Sequence, residues 1–254
     1  MSDGRIRLKS PEEIAILREG GKILAEILYE TADRVKPGIS TGELNAFAEK
    51  RLKDHGVEGA FKGYQGFPAA LCTSVNDACV HGIPSFDFLL EEGDIIGLDF
   101  GVIYKGLITD SAITVPVGEV SSDVQHLMRT TKKALKAGID EAMLGNRIGD
   151  IGAAIQKLVE RQGYSCVRDL IGHGVGYEVH ESPEVPNWGR KGSGPELVEG
   201  LVIAIEPIVN VGDWGIRTLK DDWTIVTEDG SLSAHFEHSL AITKEGTIIL
   251  TEYS

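Results

Sequence analysis

The chain has 254 residues, 42% of them hydrophobic, and carries 25 Lys and Arg against 39 Asp and Glu, for a formal charge of −14. That length supports one large domain with a sizeable core, and no apolar run approaches the ~20 residues of a membrane helix. The acidic balance disfavours a phosphate-neutralising nucleic-acid surface, and the basic start, MSDGRIRLKSPEEI, lacks the apolar stretch of a secretory signal, so a cytoplasmic protein is expected.

Ser10, Pro11 and Glu13 read as a helix start, with an N-cap, a proline at the first helical position and a capping-box glutamate. Arg5, Arg7 and Lys9 before it read as a solvated terminus. Ile14, Leu17, Leu24, Ile27 and Leu28 recur at helical spacing, and Pro37-Gly38 is expected to end that helix. A second helix is predicted from Ser40 or Thr41, with Leu44, Phe47, Ala48 and Leu52 on one face and a stop at Gly56. The unit recurs: PGISTGELNAFAEKRLKDHG superposes on LGNRIGDIGAAIQKLVERQG, with Gly38, Gly42 and Gly56 falling on Gly145, Gly149 and Gly163. Two related halves are expected.

After each helix pair come short β-branched runs punctuated by Gly, Pro, Asp and Asn, the pattern of a largely antiparallel sheet. Helices and strands are grouped rather than alternating, which favours an α+β fold, helices flanking a curved central sheet, over a doubly wound parallel one. No linker divides the chain, so residues 1–254 are expected to form a single catalytic domain. Gly189 to Gly200 reads as a surface loop. Cys72, Cys79 and Cys166 have no close CxxC spacing and are expected as reduced thiols.

Five residues demand a common explanation. Asp99, Asp110, Glu206 and Glu237 stand in or beside apolar runs (GDIIGLDFGVI, GLITDSAITV, LVIAIEPIV, HFEHSLAI), and His173 lies between glycines in GHGVG, read as a tight turn. An unpaired buried carboxylate costs several kcal/mol, and no Lys or Arg flanks Asp99, Glu206 or Glu237. IYKG reads as a hairpin turn. A turn at Tyr104-Lys105, or a four-residue loop, sets Asp99 directly opposite Asp110; a turn at Lys105-Gly106 makes them diagonal neighbours on the same face. Two carboxylates this close repel unless a cation lies between them. Four carboxylates match the charge of two divalent ions, and an oxygen-rich set with one imidazole suits Co, Mn or Fe(II) as well as Zn. Such a pair of ions can hold a water acidic enough to attack a carbonyl at neutral pH, the chemistry of a hydrolase.

The segments VNDACVHGIP, GDIIGLDFGVIYKGLITDSA, GHGVGYEVHESPEVPN, GLVIAIEPIVN and SLSAHFEHSLAIT together resemble the type I methionine aminopeptidases, and the likeness runs over essentially the whole chain. The resemblance implies the pita-bread fold with two pseudo-symmetric halves. It implies that Asp99 binds one ion, that Asp110 and Glu237 bridge two, and that His173 and Glu206 complete the second. His81, His180 and Glu206 become the catalytic residues, with His81 and His180 contacting the substrate amide. Phe61, Tyr64, Phe67, Cys72, Val179 and Trp223 become the methionine pocket. Two of these depart from the family pattern: Val179 replaces a bulkier residue and Phe61 a small one. The expected substrate is the amino-terminal methionine of nascent polypeptides with a small second residue, handled by a monomer in transient contact with the ribosome, with no nucleic-acid or membrane function. Prolidases share the ligand set but usually carry an amino-terminal domain, for which no room is expected before residue 10. Noncatalytic relatives would be expected to have broken ligands. No role is expected for His235 or His238, and His55 and His126 are expected to be solvated.

Overall fold

The computed structural model describes residues 5–253; residues 1–4 of the stretch read for a signal lie outside it. Helix α1 spans Pro11–Ala32. Ser10 Oγ accepts from Glu13 N at 3.3 Å, and the Glu13 carboxylate accepts from Ser10 N at 2.8 Å, so the predicted capping box forms. The helix ends at Ala32, short of Pro37: Arg34 N and Val35 N turn back to Thr31 O and Ala32 O, a tightening that carries the chain out of the helix before a proline its neighbour could not join helically. Helix α2 spans Thr41–His55 and closes on Gly56 at φ 65°, the left-handed cap that glycine adopts without strain. Phe47 is only half-buried. Its ring lies 3.7 Å beneath the Arg34 guanidinium instead of facing the core.

Helices α3 (Ser122–Glu141) and α4 (Ile148–Arg161) repeat the motif. The repeat holds to the level of single hydrogen bonds. Gly38 N donates to Leu90 O and Leu90 N to Ile39 O, while Gly145 N donates to Leu197 O and Leu197 N to Asn146 O. Thr41 N to Phe88 O likewise matches Ile148 N to Pro195 O, and the Glu43 carboxylate on Ser40 N matches the Asp150 carboxylate on Arg147 N. Each pair of bonds differs by the same number of residues as Gly38 and Gly145. The duplication read from glycine spacing is therefore a structural one.

Every described strand pair is antiparallel. In the first half the strand Ile95–Tyr104 lies between Leu71–Val75 and Leu107–Pro116. In the second, Val202–Ile205 lies between His238–Thr243 and Gly172–Gly174, which pairs in turn with Glu181–Val185. One apolar cluster, from Leu24 and Leu44 through Phe100 and Ile151 to Leu240, runs through both halves. The halves are sewn together where Leu107–Pro116 meets residues 235–239. Ser239 Oγ donates to Asp110 O and accepts from Asp110 N, Ser111 Oγ donates to Glu237 O, and Thr114 Oγ1 donates to His235 O while accepting from His235 N. Asp110 and Glu237 thus lie on the two edges of one seam.

The basic terminus is not simply solvated. Lys9 is buried, its Nζ 2.6 Å from the equally buried Glu181 Oε2 and 4.8 Å from the Tyr177 ring centre, and Arg7 reaches Glu178 at 2.9 Å. A buried ammonium requires such a partner, and removing either member costs about 3–5 kcal/mol. Gly189 to Gly200 is a loop, as read, and all three cysteines are free and buried. No described helix is long and apolar enough to cross a membrane.

Candidate metal centre

The hairpin turn falls at Lys105-Gly106, with φ of 49° and 81°. Two consecutive positive φ values suit a type I′ turn and match the twist of the flanking strands. Asp99 therefore faces Ala112, and Asp110 faces Gly101. The two aspartates are diagonal neighbours on one face, the third of the expected registers. In the second half His238 pairs with Ile205, and Phe236 N donates to Pro207 O at 3.4 Å. That register sets Glu206 opposite Glu237.

His173 lies in the short strand Gly172–Gly174, not in the tight turn expected from its glycines. A Cβ at Gly172 would stand 2.4 Å from Ala204 O, and one at Gly174 the same distance from Ser182 O. The glycines let neighbouring strands close in around His173. Its Nδ1 lies 2.9 Å from Gly174 O, a bond that places the ring proton on Nδ1 and leaves the Nε2 lone pair facing Glu206 Oε1 at 3.5 Å. An imidazole held this way is prepared to ligate.

Ligand atoms of Asp110, His173 and Glu237 lie within 4.8 Å of one another, all three residues buried. Asp99 Oδ1, Asp110 Oδ1 and Glu237 Oε1 are buried with no hydrogen-bond partner, and among the described residues no Lys or Arg forms an ion pair with any of the four carboxylates. Burial pushes the Asp99 carboxyl up to about 7. Burial and then the neighbouring carboxylates hold Asp110, Glu206 and Glu237 well above the usual carboxylate range. Burial drives His173 down to about 3, so it stays neutral. Orphaned carboxylate oxygens beside a bare imidazole nitrogen fit a divalent cation, which would satisfy each of them at once.

This acidic centre closes one end of a cavity of about 270 Å³, and Phe61, Tyr64, Phe67, Cys72, Val179 and Trp223 line the same cavity with His81 and His180. The Phe61 ring fits because Gly101 beneath it has no side chain: a Cβ there would lie 2.8 Å from Phe61 Cε1. Phe67 meets Trp223 edge-on at 5.1 Å between ring centres. His81 adopts φ 58°, and Gly82 next to it packs so tightly that a Cβ would lie 2.1 Å from Thr73 O. A non-glycine residue in left-handed conformation is a strained one of the kind found at functional sites. Burial lowers His81 to about 4, with His180 adding to the shift. His180, at the cavity mouth, packs edge-on to His173 at 4.4 Å and bonds Tyr64.

The structure brings every residue expected at the site to this one cavity. Beside the acidic centre, though not on the cavity wall, it sets His235, for which the sequence suggests no role. His235 is buried, its Nε2 has no hydrogen-bond partner, and it lies 3.8 Å from Glu206 Oε2 and 4.0 Å from Glu237 Oε2. Strand alternation held the signal, since residues two apart face the same way. His238 points away, to Thr251 Oγ1 at 2.9 Å, as the same alternation requires. His55 and His126 are half-buried and bonded, to Arg51 and to Tyr164, and so are not freely solvated. Asp169, Leu170 and Ile171 also wall the cavity, and no sequence pattern pointed to them.

The antiparallel, duplicated fold gathers acidic residues at its centre. The sequence pattern of metallopeptidase family M24 matches residues 15–244, and the chain belongs to that family. It is 48% identical to the methionine aminopeptidase of Clostridium acetobutylicum over 97% of this chain and 98% of that one. It is 47% identical to methionine aminopeptidase 1 of Bacillus subtilis, over 96% and 98% of the two chains. The crystal structure of methionine aminopeptidase from Thermotoga maritima superposes with a TM-score of 0.96 at 42% identity, covering 98% of this chain and all of that one. The expected pita-bread fold is the fold found.

Proposed function

We infer that the chain is a methionine aminopeptidase, hydrolysing the peptide bond after an amino-terminal methionine. The observation that carries this reading is one cavity with an acidic, charge-starved floor and an apolar wall: the floor fits cations and a substrate's free amine, and the wall fits a thioether side chain. Methionine, unbranched and polarisable, adapts to such a wall. Asp99, Asp110, His173, Glu206 and Glu237 would hold two divalent ions, with Co, Mn, Fe(II) and Zn all compatible with the donor set. The ions supply a Lewis acid and lower the pKa of water.

The chain's own residues do the rest. Phe61, Tyr64, Phe67, Cys72, Val179 and Trp223 receive the methionine side chain and exclude water from it. His81 and His180, whose basicity burial lowers, present N–H groups to the scissile amide and to the oxygen that gains charge in the transition state, where aimed donors act most strongly. The Glu206 carboxylate holds the proton from the attacking water until the leaving amine takes it. A small second residue is preferred, the substrates are the amino termini of new polypeptides in the cytoplasm, and the enzyme works as a monomer in passing contact with the ribosome.

Metal-loaded protein is expected to cleave Met-Ala-Ser rapidly, Met-Lys-Ser slowly and Xaa-Pro peptides not at all. Cleavage confined to Xaa-Pro peptides would overturn the methionine assignment.

A further inference from the structure

His180 lines the cavity and is itself exposed, at the cavity mouth. The Tyr64 hydroxyl lies 3.0 Å from His180 Nδ1, and the two rings are tilted by 55° with centres 5.4 Å apart, so they do not stack. On its other side His180 meets His173 edge-on at 4.4 Å. The backbone beneath it is anchored separately: Tyr177 N and Glu178 N both donate to Glu181 Oε1, and Glu181 Oε2 accepts from buried Lys9 Nζ. The loop is thus held by Lys9 and Glu181. The hydrogen bond to the ring itself comes from Tyr64.

We propose that Tyr64 is a positioning residue that locks neutral His180 as its Nε2–H tautomer, aiming that N–H at the substrate amide. A neutral imidazole carries one donor and one acceptor nitrogen, and the partner of one decides the role of the other. A phenol with an ordinary pKa near 10 is a good donor, and an imidazole nitrogen with an ordinary pKa near 6.5 is a far better acceptor than a phenol oxygen. Tyr64 O–H therefore donates to Nδ1, and the ring proton resides on Nε2. Loss of the hydroxyl frees the ring to flip or to take the Nδ1–H form, which offers the substrate a lone pair where it needs a donor. The proposal rests on the catalytic part assigned to His180 above. It gives Tyr64 a task beyond forming part of an apolar wall.

Tyr64→Phe keeps the ring and removes only the oxygen. The half-buried position and the separate Lys9–Glu181 anchor leave the fold intact, which a thermal melt checks. On Met-Ala-Ser, kcat is expected to fall about tenfold, the size of one lost donor–acceptor contact, with KM changed less than threefold. Nitrogen-15 NMR of the imidazoles in metal-free protein, with the His180 signals assigned from His180→Gln, is expected to show protonated Nε2 in the wild type and mixed tautomers in Tyr64→Phe. An Nδ1–H wild-type ring, unchanged tautomers in the variant, or a variant that raises KM while sparing kcat would overturn the proposal. The NMR arm needs no turnover. If the wild type does not cleave Met-Ala-Ser, the assigned function fails while the tautomer result still stands or falls independently.

Discussion

In the first half of the molecule one unbroken hairpin, turned at Lys105-Gly106, carries both Asp99 and Asp110; in the second, Glu206 and Glu237 sit between strands, in stretches that residues 211–232 separate. The rungs nevertheless correspond. Asp99 faces Ala112 and Asp110 faces Gly101, while Glu206 stands opposite Glu237 and His235 faces Ile208. Asp110 and His235 thus occupy equivalent rungs, as do Ala112 and Glu237. The duplicated ladder supplies the register, and substitution on its rungs distributes the charge. Much of the pocket comes from stretches between the matched rungs: Trp223 lies within the extra segment, and Phe61, Tyr64 and Phe67 lie in the 60–67 segment between the strands Glu58–Gly59 and Leu71–Val75.

If both halves contribute equally to one centre, damage to either should be equally severe. Asp99→Asn and Glu206→Gln keep shape and remove one charge each, and each is expected to lower turnover by two orders of magnitude or more and to weaken metal binding. Activity within twofold of wild type in either variant would remove that residue from the centre.

A smaller effect concerns the metal-free protein. The site carboxyls are raised above their unfolded values by burial, Asp99 to about 7, so the folded state binds more protons than the unfolded chain across that interval. Their stabilising share is complete at low pH and is lost as pH rises through the folded value. The melting temperature of chelated protein should therefore drop by several degrees between about pH 5 and pH 8. Excess divalent cation should abolish the drop, because it neutralises the carboxylates that repel. A melting temperature that rises over that range without metal would contradict the assignment of charge.

The smallest effect tests the pocket, where the halves differ. Phe61 and Val179 belong to one apolar cluster with Cys72 and Phe67. Val179→Phe alone overfills the shared space, at a cost of about 1–3 kcal/mol, and should raise KM for Met-Ala-Ser several-fold. Adding Phe61→Ala should recover most of that loss, as coupled neighbours do. Additive effects would show that the two side chains do not share the pocket.

The sequence disclosed most of what rests on local rules. Capping residues marked Ser10, Ser40 and Gly56, apolar spacing marked the helices, and carboxylates in apolar runs marked the centre without reference to any relative. It left open the hairpin register, because three placements of the IYKG turn keep Asp99 and Asp110 on one face and only the positive φ at Lys105 and Gly106 selects among them. Lys9 reads as solvated because its partner, Glu181, lies 172 residues away, beyond the reach of any local pattern. His173 reads as a turn residue because glycines that permit close strand packing resemble glycines that permit tight bends. His235 was readable from its two-residue spacing to Glu237, yet its place beside Glu206 depends on a strand pairing that spacing alone does not fix.

The central claim, that carboxylates from both halves converge to hold a pair of divalent cations, is tested most directly by anomalous diffraction from crystals soaked in Mn²⁺. Two neighbouring peaks are predicted, flanked by Asp110 and Glu237, with Asp99 on one side and His173 and Glu206 on the other. Strong peaks elsewhere, with none among these five residues, would contradict it.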